Sequence, residues 1–427
     1  MSTFESGPSS AGVHVSPRVP GDKSVSHRCL LLAALAEGKS TLKGLSGGDD
    51  VVRTVLAISR FGAAVSRQGD TVFVDGGREL LHEPSGVVDV GNSGTGIRLL
   101  AGWSAGVRGL TVLTGDESVS SRPMERVADP LRLMGAVVDG REGGRLPPLV
   151  IKGGGLRGID YTIPVPSAQV KGAILLAGLS ADGETTVRET SVTRIHTEEL
   201  LAVAGADLTV EPGRVSVRRS RLSPFSVSVP ADPSQAAFWV VAACLAPGSD
   251  VVLHDVYTGP GRAGFLDVLR RMGAAIEILE TDPATSTSTI RAVHSPLRAT
   301  EVGGASVPSL IDEIPVLAVA AAYAEGTTTF TGASELRVKE TDRIATMVAA
   351  LRSVGVEADP LDDGLVVHGR GGEPLKGGTV DSAGDHRVAM ALAVAGAGSA
   401  EPVTIRGWEA VATSYPGFEE EYQRCAS

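Results

Sequence analysis

Six short segments of the chain set small, hydroxyl or charged residues just ahead of an apolar run. They are Pro20-Gly21-Asp22-Lys23-Ser24, Gly91-Asn92-Ser93-Gly94-Thr95-Gly96, Pro166-Ser167-Ala168-Gln169, Asp232-Pro233-Ser234-Gln235, Ile311-Asp312-Glu313-Ile314-Pro315 and Gly384-Asp385-His386-Arg387. Aspartate, asparagine and serine at such positions cap helices, and glycine there lets backbone N–H groups approach a ligand. A helix start, with unsatisfied N–H groups and the positive end of the backbone dipole, receives phosphate or carboxylate. Lys23, Arg28, Arg98, Lys171 and Arg387 stand at or near these starts, and Arg122, Arg194, Lys339 and Arg343 at the starts of the helices that follow. The pattern predicts a site for a small polyanion. Asp312-Glu313 reads as a helix cap or as a proton-transfer group, and Lys339-Glu340-Thr341-Asp342-Arg343 as a charged helix face.

The elements that position these residues recur. An Ala- and Leu-rich helix over 28–36 is followed by Gly38, a strand from Ser40, a helix over 49–61 and a strand over 71–74. The same order returns from Ile97, Lys171, Ala236, Pro315 and Arg387, the last copy ending after a strand at 402–405 and a final helical turn. The starts lie roughly 70 residues apart, too long for a common solenoid repeat and short for an independent domain. Each copy reads as β-α-β-α-β-β with glycine as the usual helix stop. Six copies divide into two groups of three, with hinges placed at the proline clusters 17–20 and 224–233.

Composition narrows the class. A chain of 427 residues predicts two to three domains, and 39 basic against 50 acidic residues, a net charge of −11, argue against a general nucleic-acid or membrane-surface binder. Cys29, Cys244 and Cys425, odd in number and far apart, exclude a disulfide framework and a CxxC zinc site. No apolar run reaches the roughly 18 residues of a membrane span, and residues 1–16 lack a signal pattern. A soluble α/β protein of a reducing compartment, the cytoplasm, is expected.

Several motifs lose to plainer readings. Gly259-Pro260-Gly261-Arg262-Ala263-Gly264 fits the dinucleotide fingerprint, but it opens a second helix whose siblings lack the glycines. Gly38-Lys39-Ser40-Thr41 ends a helix and enters a strand, the reverse of a phosphate-binding loop. The eight histidines form no HExxH, and Asp49-Asp50 and Asp362-Asp363 read as surface caps or turns. Cys29 and Cys244 read as small core residues.

Taken together, the segments resemble the 5-enolpyruvylshikimate-3-phosphate synthase family over nearly the whole chain. The matching motifs are Pro20 to Arg28, Gly91 to Arg98, Leu113-Thr114-Gly115-Asp116 leading to Arg122-Pro123, Ser167 to Lys171, Arg194-Ile195-His196-Thr197-Glu198, Leu336 to Arg343 and Asp385-His386-Arg387. The Ser-Ala-Gln-x-Lys and Arg-x-His-x-Glu forms are similar to its class II branch. The resemblance implies an enolpyruvyl transferase fold: two inside-out α/β domains, each of three βαβαββ units. The first would span 21–228; 1–20 and 229–427 would form the second, with the active site in the cleft between them. It implies transfer of the enolpyruvyl group of phosphoenolpyruvate to the 5-hydroxyl of shikimate 3-phosphate, through a tetrahedral intermediate and with release of phosphate. Two small-molecule substrates, no cofactor, no metal, no nucleic acid, no membrane and a monomer are implied.

Carried over by position, Lys23, Ser24, Arg28, Ser167, Ala168, Gln169, Arg194, Asp312 and Lys339 would hold shikimate 3-phosphate. Lys23, Gly94 through its backbone, Arg122, Gln169, Arg343 and Arg387 would hold phosphoenolpyruvate. Asp312 would take the hydroxyl proton, Glu340 would protonate the methylene carbon and Lys23 would stabilise charge, with Asn92 and His386 beside the reacting groups. The chain departs from the pattern at Ala412-Thr413-Ser414, where the other branch carries a lysine, and at Ser120-Ser121, where relatives often carry further basic residues. Gly94 implies a pocket with room for glyphosate. The alternatives are a UDP-N-acetylglucosamine enolpyruvyl transferase, which usually carries a cysteine in the loop matching 116–121, and a non-catalytic phosphometabolite-binding protein.

Overall fold

A computed structural model describes residues 2–8 and 12–426. The chain divides into two compact units, an internal one, Gly21–Val229, and a split one, Met1–Pro20 with Pro230–Ser427. Each unit has three helices that are apolar on nearly every side. In the internal unit these are Lys23–Leu35, Gly94–Ala105 and Ala168–Gly178; in the split unit, Pro233–Leu245, Ile314–Tyr323 and His386–Gly396. All residues of Lys23–Leu35, Pro233–Leu245, Ile314–Tyr323 and His386–Gly396 are buried. A helix without a polar face is stable only when enclosed, and the three helices form the interior of their unit. The second helices are amphipathic: Asp49–Arg60 buries Val51, Thr54, Ala57 and Ile58 on one face. The strands also alternate, as in Thr71–Gly76, where Val72, Val74 and Gly76 are buried. Helices lie within and sheets cover them, the inside-out α/β arrangement.

The sheets repeat one pattern. The strand before a first helix runs parallel to the strand after it, as Val88–Asp89 does to Gly109–Thr114, and a hairpin completes the sheet with Leu146–Gly153 next and Val137–Arg141 at the edge. The first repeat takes its parallel strand from the far end of its own unit, Ser226–Ser228, which pairs with Gly38–Lys43. The fourth takes His14–Val15 alongside Asp250–Tyr257. The sixth has three strands among the described residues, with Thr3–Ser6 antiparallel to Val403–Arg406 where a hairpin strand would lie.

Three local expectations are corrected. The first helix begins at Lys23, because the Asp22 carboxylate accepts from the Val25 N–H at 2.9 Å, so Lys23 and Ser24 occupy its first turn. The charged run 339–343 is not a helix face: Asp342 caps the helix Arg343–Ser353 by accepting from the Ala345 N–H, leaving Lys339 and Glu340 in the turn before it. The C-terminal end is more than one turn. A 3-10 segment, Trp408–Thr413, and the helix Phe418–Ala426 follow the last strand, and Phe4 stacks on Trp408 at 4.2 Å between ring centroids.

Two helices of the internal unit touch backbone to backbone. A Cβ on Gly102 would stand 2.0 Å from the Ala173 carbonyl oxygen, so glycine is required where Gly94–Ala105 crosses Ala168–Gly178. The contact brings the first turns carrying Gly94, Arg98 and Gln169 together. Gly102→Ala is expected to cost about 1–3 kcal/mol or more by forcing the helices apart. Urea unfolding measures it, and wild-type stability would show that the crossing yields freely.

Candidate functional site

In the internal unit most of the sequence-predicted residues lie at or near the starts of the three enclosed helices, while Arg122 precedes Glu125–Leu133 and Arg194 precedes His196–Val203. Lys23 Nζ donates to Asp50 Oδ2 at 2.9 Å, with both side chains almost wholly buried. Arg28, also buried, donates from Nε to Thr197 Oγ1 at 2.7 Å, from Nη1 to the Ser24 carbonyl at 2.9 Å and from Nη2 to the Ala168 carbonyl at 3.1 Å. It thus joins the first helix to both parts of the third repeat. Ser167 caps Ala168–Gly178, accepting from the Val170 N–H. The Gln169 side chain bridges Arg98 Nη1 at 2.8 Å and Thr95 Oγ1 at 2.9 Å. Arg122 is buried and donates from Nη2 to Ser118 Oγ at 3.1 Å. A Cβ on Gly94 would stand 2.1 Å from Arg122 Nη1, so these two residues share one space. The Gly94 N–H donates to the Asn92 carbonyl and the Gly96 N–H to Ser93 Oγ, both at 3.0 Å, while Asn92 Nδ2 reaches Asp116 Oδ2 at 2.6 Å.

Two buried supports underlie this cluster. His27 is hydrogen-bonded through Nδ1 to Thr54 Oγ1 at 2.7 Å and through Nε2 to Ser93 Oγ at 3.3 Å. Burial, reinforced by the charges of Lys23 and Arg28, pushes its pKa down to about 3, so the ring is neutral. Thr54 donates onward to the Asp50 carbonyl, which leaves its oxygen to receive the Nδ1 proton, and the unprotonated Nε2 of that neutral ring then accepts from Ser93 Oγ. The second support is Lys171, 1% exposed, whose Nζ lies 2.7 Å from both Glu189 Oε2 and Glu198 Oε1. Lys171 is the counter-ion of two buried glutamates, not a cation facing a ligand. Burial raises the pKa of Glu198 against the pull of Lys171. Glu189 also accepts from Thr193 Oγ1, which ties down the segment carrying the half-buried Arg194.

In the split unit, one guanidinium organises the carboxylates. Arg343, 1% exposed, donates from Nε to Asp385 Oδ2 at 2.7 Å, from Nη1 to Asp312 Oδ1 at 3.4 Å and from Nη2 to Glu340 Oε2. Burial opposes its charge, but Asp385, Glu340 and Asp312 outweigh it and raise its pKa. Lys339 Nζ reaches Asp312 Oδ1 at 3.2 Å, and Arg387 Nη1 donates to the Asp312 carbonyl at 3.1 Å. Asp385 also caps His386–Gly396, accepting from the Arg387 N–H at 2.8 Å; His386 is buried in the first turn. The split unit therefore gathers Asp312, Lys339, Glu340, His386 and Arg387 around Arg343 and Asp385.

Sequence reading missed most of the partners. Asp50 is buried against Lys23 rather than lying on the surface, and Glu189, Glu313 and Arg262 are also buried or nearly so. Local spacing gives no sign of Asp50, which meets Lys23 from another helix; a charged residue inside an apolar stripe was the available signal. A further group of metal-ligating types, Glu357, Asp359 and His368, lies across two strands, where Arg352 holds Asp359.

A family model for EPSP synthase (3-phosphoshikimate 1-carboxyvinyltransferase) matches residues 11–422. The chain belongs to the EPSP synthase family. A 3-phosphoshikimate 1-carboxyvinyltransferase of Alkaliphilus metalliredigens is 46% identical, over 94% of this chain and 95% of its own. The EPSP synthase structure from Acinetobacter baumannii superposes with a TM-score of 0.87 at 40% identity, covering 100% of this chain and 98% of that one. The enolpyruvyl transferase NikO from Streptomyces tendae, at 18% identity and a TM-score of 0.78 over 99% of this chain and 97% of its own, shares the fold.

For an EPSP synthase so dependent on buried charge, His27 gives a pH signature. Its pKa is about 3 when folded against 6.5 as the ordinary value. The unfolded chain therefore binds the extra proton between those limits, and the contribution to stability, complete above pH 6.5, is lost as pH falls towards 3, by about 1.4 kcal/mol per pH unit. His27→Gln should lose less stability than wild type between pH 7 and pH 5, by about 2 kcal/mol. Parallel urea midpoints in the two proteins would rule this out.

Proposed function

We propose that this enzyme transfers the enolpyruvyl group of phosphoenolpyruvate to the 5-hydroxyl of shikimate 3-phosphate, with residues of both units acting on the same pair of substrates. The internal unit supplies Lys23, Ser24, Arg28, Ser167, Ala168, Gln169 and Arg194 for shikimate 3-phosphate, and Gly94, Arg122, Gln169 and Lys23 for phosphoenolpyruvate. The split unit supplies Asp312 and Lys339 for the former and Arg343 and Arg387 for the latter, and Asn92 of the internal unit and His386 of the split unit complete the proposed set. The observation that carries the reading is that Asp312 and Glu340 share the Arg343 guanidinium, so a base and an acid are held on one cation. Asp312 accepts the 5-hydroxyl proton as that oxygen bonds to the enol carbon, and Glu340 donates a proton to the methylene carbon. The tetrahedral adduct then returns a methyl proton to the Glu340 carboxylate as the C–O bond to phosphate breaks, and phosphate leaves. An anionic substrate that draws Arg343 from Glu340 removes the cation favouring the carboxylate, which favours the protonated acid the first step requires. Lys23 offsets the charge that develops at the phosphate.

We also propose a monomer working in the cytoplasm. The three cysteines are free thiols, in keeping with a reducing compartment. The nucleotide-sugar alternative is not favoured by the relatives above.

Phosphate release from phosphoenolpyruvate should occur with shikimate 3-phosphate and not with UDP-N-acetylglucosamine; the opposite preference would overturn the reading, and release with neither would point to a binding protein. Asp312→Asn and Glu340→Gln should each lower kcat about 100-fold or more while shikimate 3-phosphate binding changes only a few-fold. Gly94→Ala should raise the KM for phosphoenolpyruvate and weaken glyphosate inhibition together, because the added methyl must displace Arg122; inhibition weakened at an unaltered KM would contradict that cause.

A further inference from the structure

The arginine inside the discarded dinucleotide-like motif has a place in the split unit. Arg262 is 1% exposed; Nη2 donates to Asp232 Oδ1 at 2.6 Å, and Nη1 donates to Ser234 Oγ at 2.8 Å and lies 3.4 Å from Glu313 Oε1. Asp232 and Ser234 belong to the first turn of Pro233–Leu245, and Ser234 Oγ also donates to Glu313 Oε1. Glu313, adjacent to Asp312, is 0% exposed at its side chain, and its Oε2 is buried without a hydrogen-bond partner. The nearest cation beyond Arg262 is Arg387, with Nη1 3.8 Å from Glu313 Oε1 and 3.1 Å from the Asp312 carbonyl.

This places a buried carboxylate between two guanidinium groups. A buried carboxylate that loses its counter-ion draws the next cation to it, since an uncompensated charge at low dielectric costs several kcal/mol. We infer that Arg262 is a positioning residue that neutralises Glu313, and so keeps Arg387 on the Asp312 main chain and available to an anionic substrate. With Arg262 absent, Arg387 closes on Glu313 and leaves both. The inference rests on the assignment of Arg387 to phosphoenolpyruvate.

The test is a set of steady-state measurements on the full chain. Arg262→Met should raise the KM for phosphoenolpyruvate at least 10-fold while the KM for shikimate 3-phosphate moves less than 3-fold. Adding Glu313→Gln, which removes the competing charge, should return the phosphoenolpyruvate KM to within 3-fold of wild type. A merely structural Arg262 would move both KM values together, and Glu313→Gln would then restore both rather than that for phosphoenolpyruvate alone. Should Arg262→Met fail to fold, Arg262→Gln, which keeps hydrogen-bond donors but no charge, carries the same comparison with and without Glu313→Gln. Equal changes in both KM values, or no recovery in the double variant, overturn the inference. Arg387→Gln is measured alongside: if it leaves the phosphoenolpyruvate KM unchanged, the assignment of Arg387 fails, whereas if it raises that KM and Arg262→Met does not, the inference alone fails.

Discussion

A helix such as Pro233–Leu245, buried along its whole length, can be polar only at its ends. Its side chains must all be apolar or locally paired, its flanks must be covered by sheets, and its first turn alone is left to carry charge. The same constraint acts on Lys23–Leu35, Ile314–Tyr323 and His386–Gly396. It explains why the chemistry of this chain is concentrated in short segments: Asp22, Ser167, Asp232 and Asp385 cap the enclosed helices, and Lys23, Lys171 and Arg387 follow three of these caps within about a turn. Fold and site are two consequences of enclosing helices that have no outer face.

Charges that enter such surroundings cannot remain uncompensated. Lys23 is held by Asp50, Lys171 by Glu189 and Glu198, Arg262 by Asp232 and Glu313, and Arg343 by Asp385, Glu340 and Asp312. The acidic excess of the chain is therefore partly inside, where it fixes cations in position. A substrate with a phosphate and a carboxylate meets groups already oriented, so little conformational entropy is lost when it binds. Several of these cations are already engaged by internal carboxylates, as Arg343 is by Glu340.

The repeated helix starts, the cations near them and the family motifs were legible in the sequence, because capping and hydrophobic period are local properties. Asp312 and Glu340 were legible only as candidates. The supports were not. Arg28 meets Thr197 across 169 positions and Arg387 meets the Asp312 carbonyl across 75, and no local pattern encodes pairings of that span. Lys171 misled for the same reason: its position in a motif near a helix start suggested an anion contact, whereas its partners come from a strand end and another helix. The charged run at 339–343 was placed in a helix because its residues favour one; the Asp342 cap, a tertiary choice of start, decides otherwise.

The strand Thr3–Ser6 has a consequence for how the chain is made. It and His14–Val15 precede Gly21–Val229 in the chain, yet they pair with Val403–Arg406 and Asp250–Tyr257, which follow it. The segment Gly21–Val229 lies wholly between them, complete in itself, with Gly21 and the Val229 side chain adjacent. It behaves as an insertion, able to fold while the leading strands are still without partners. Their brevity, four residues and two, keeps the unpaired edges short until the fourth repeat pairs with His14–Val15 and the sixth with Thr3–Ser6.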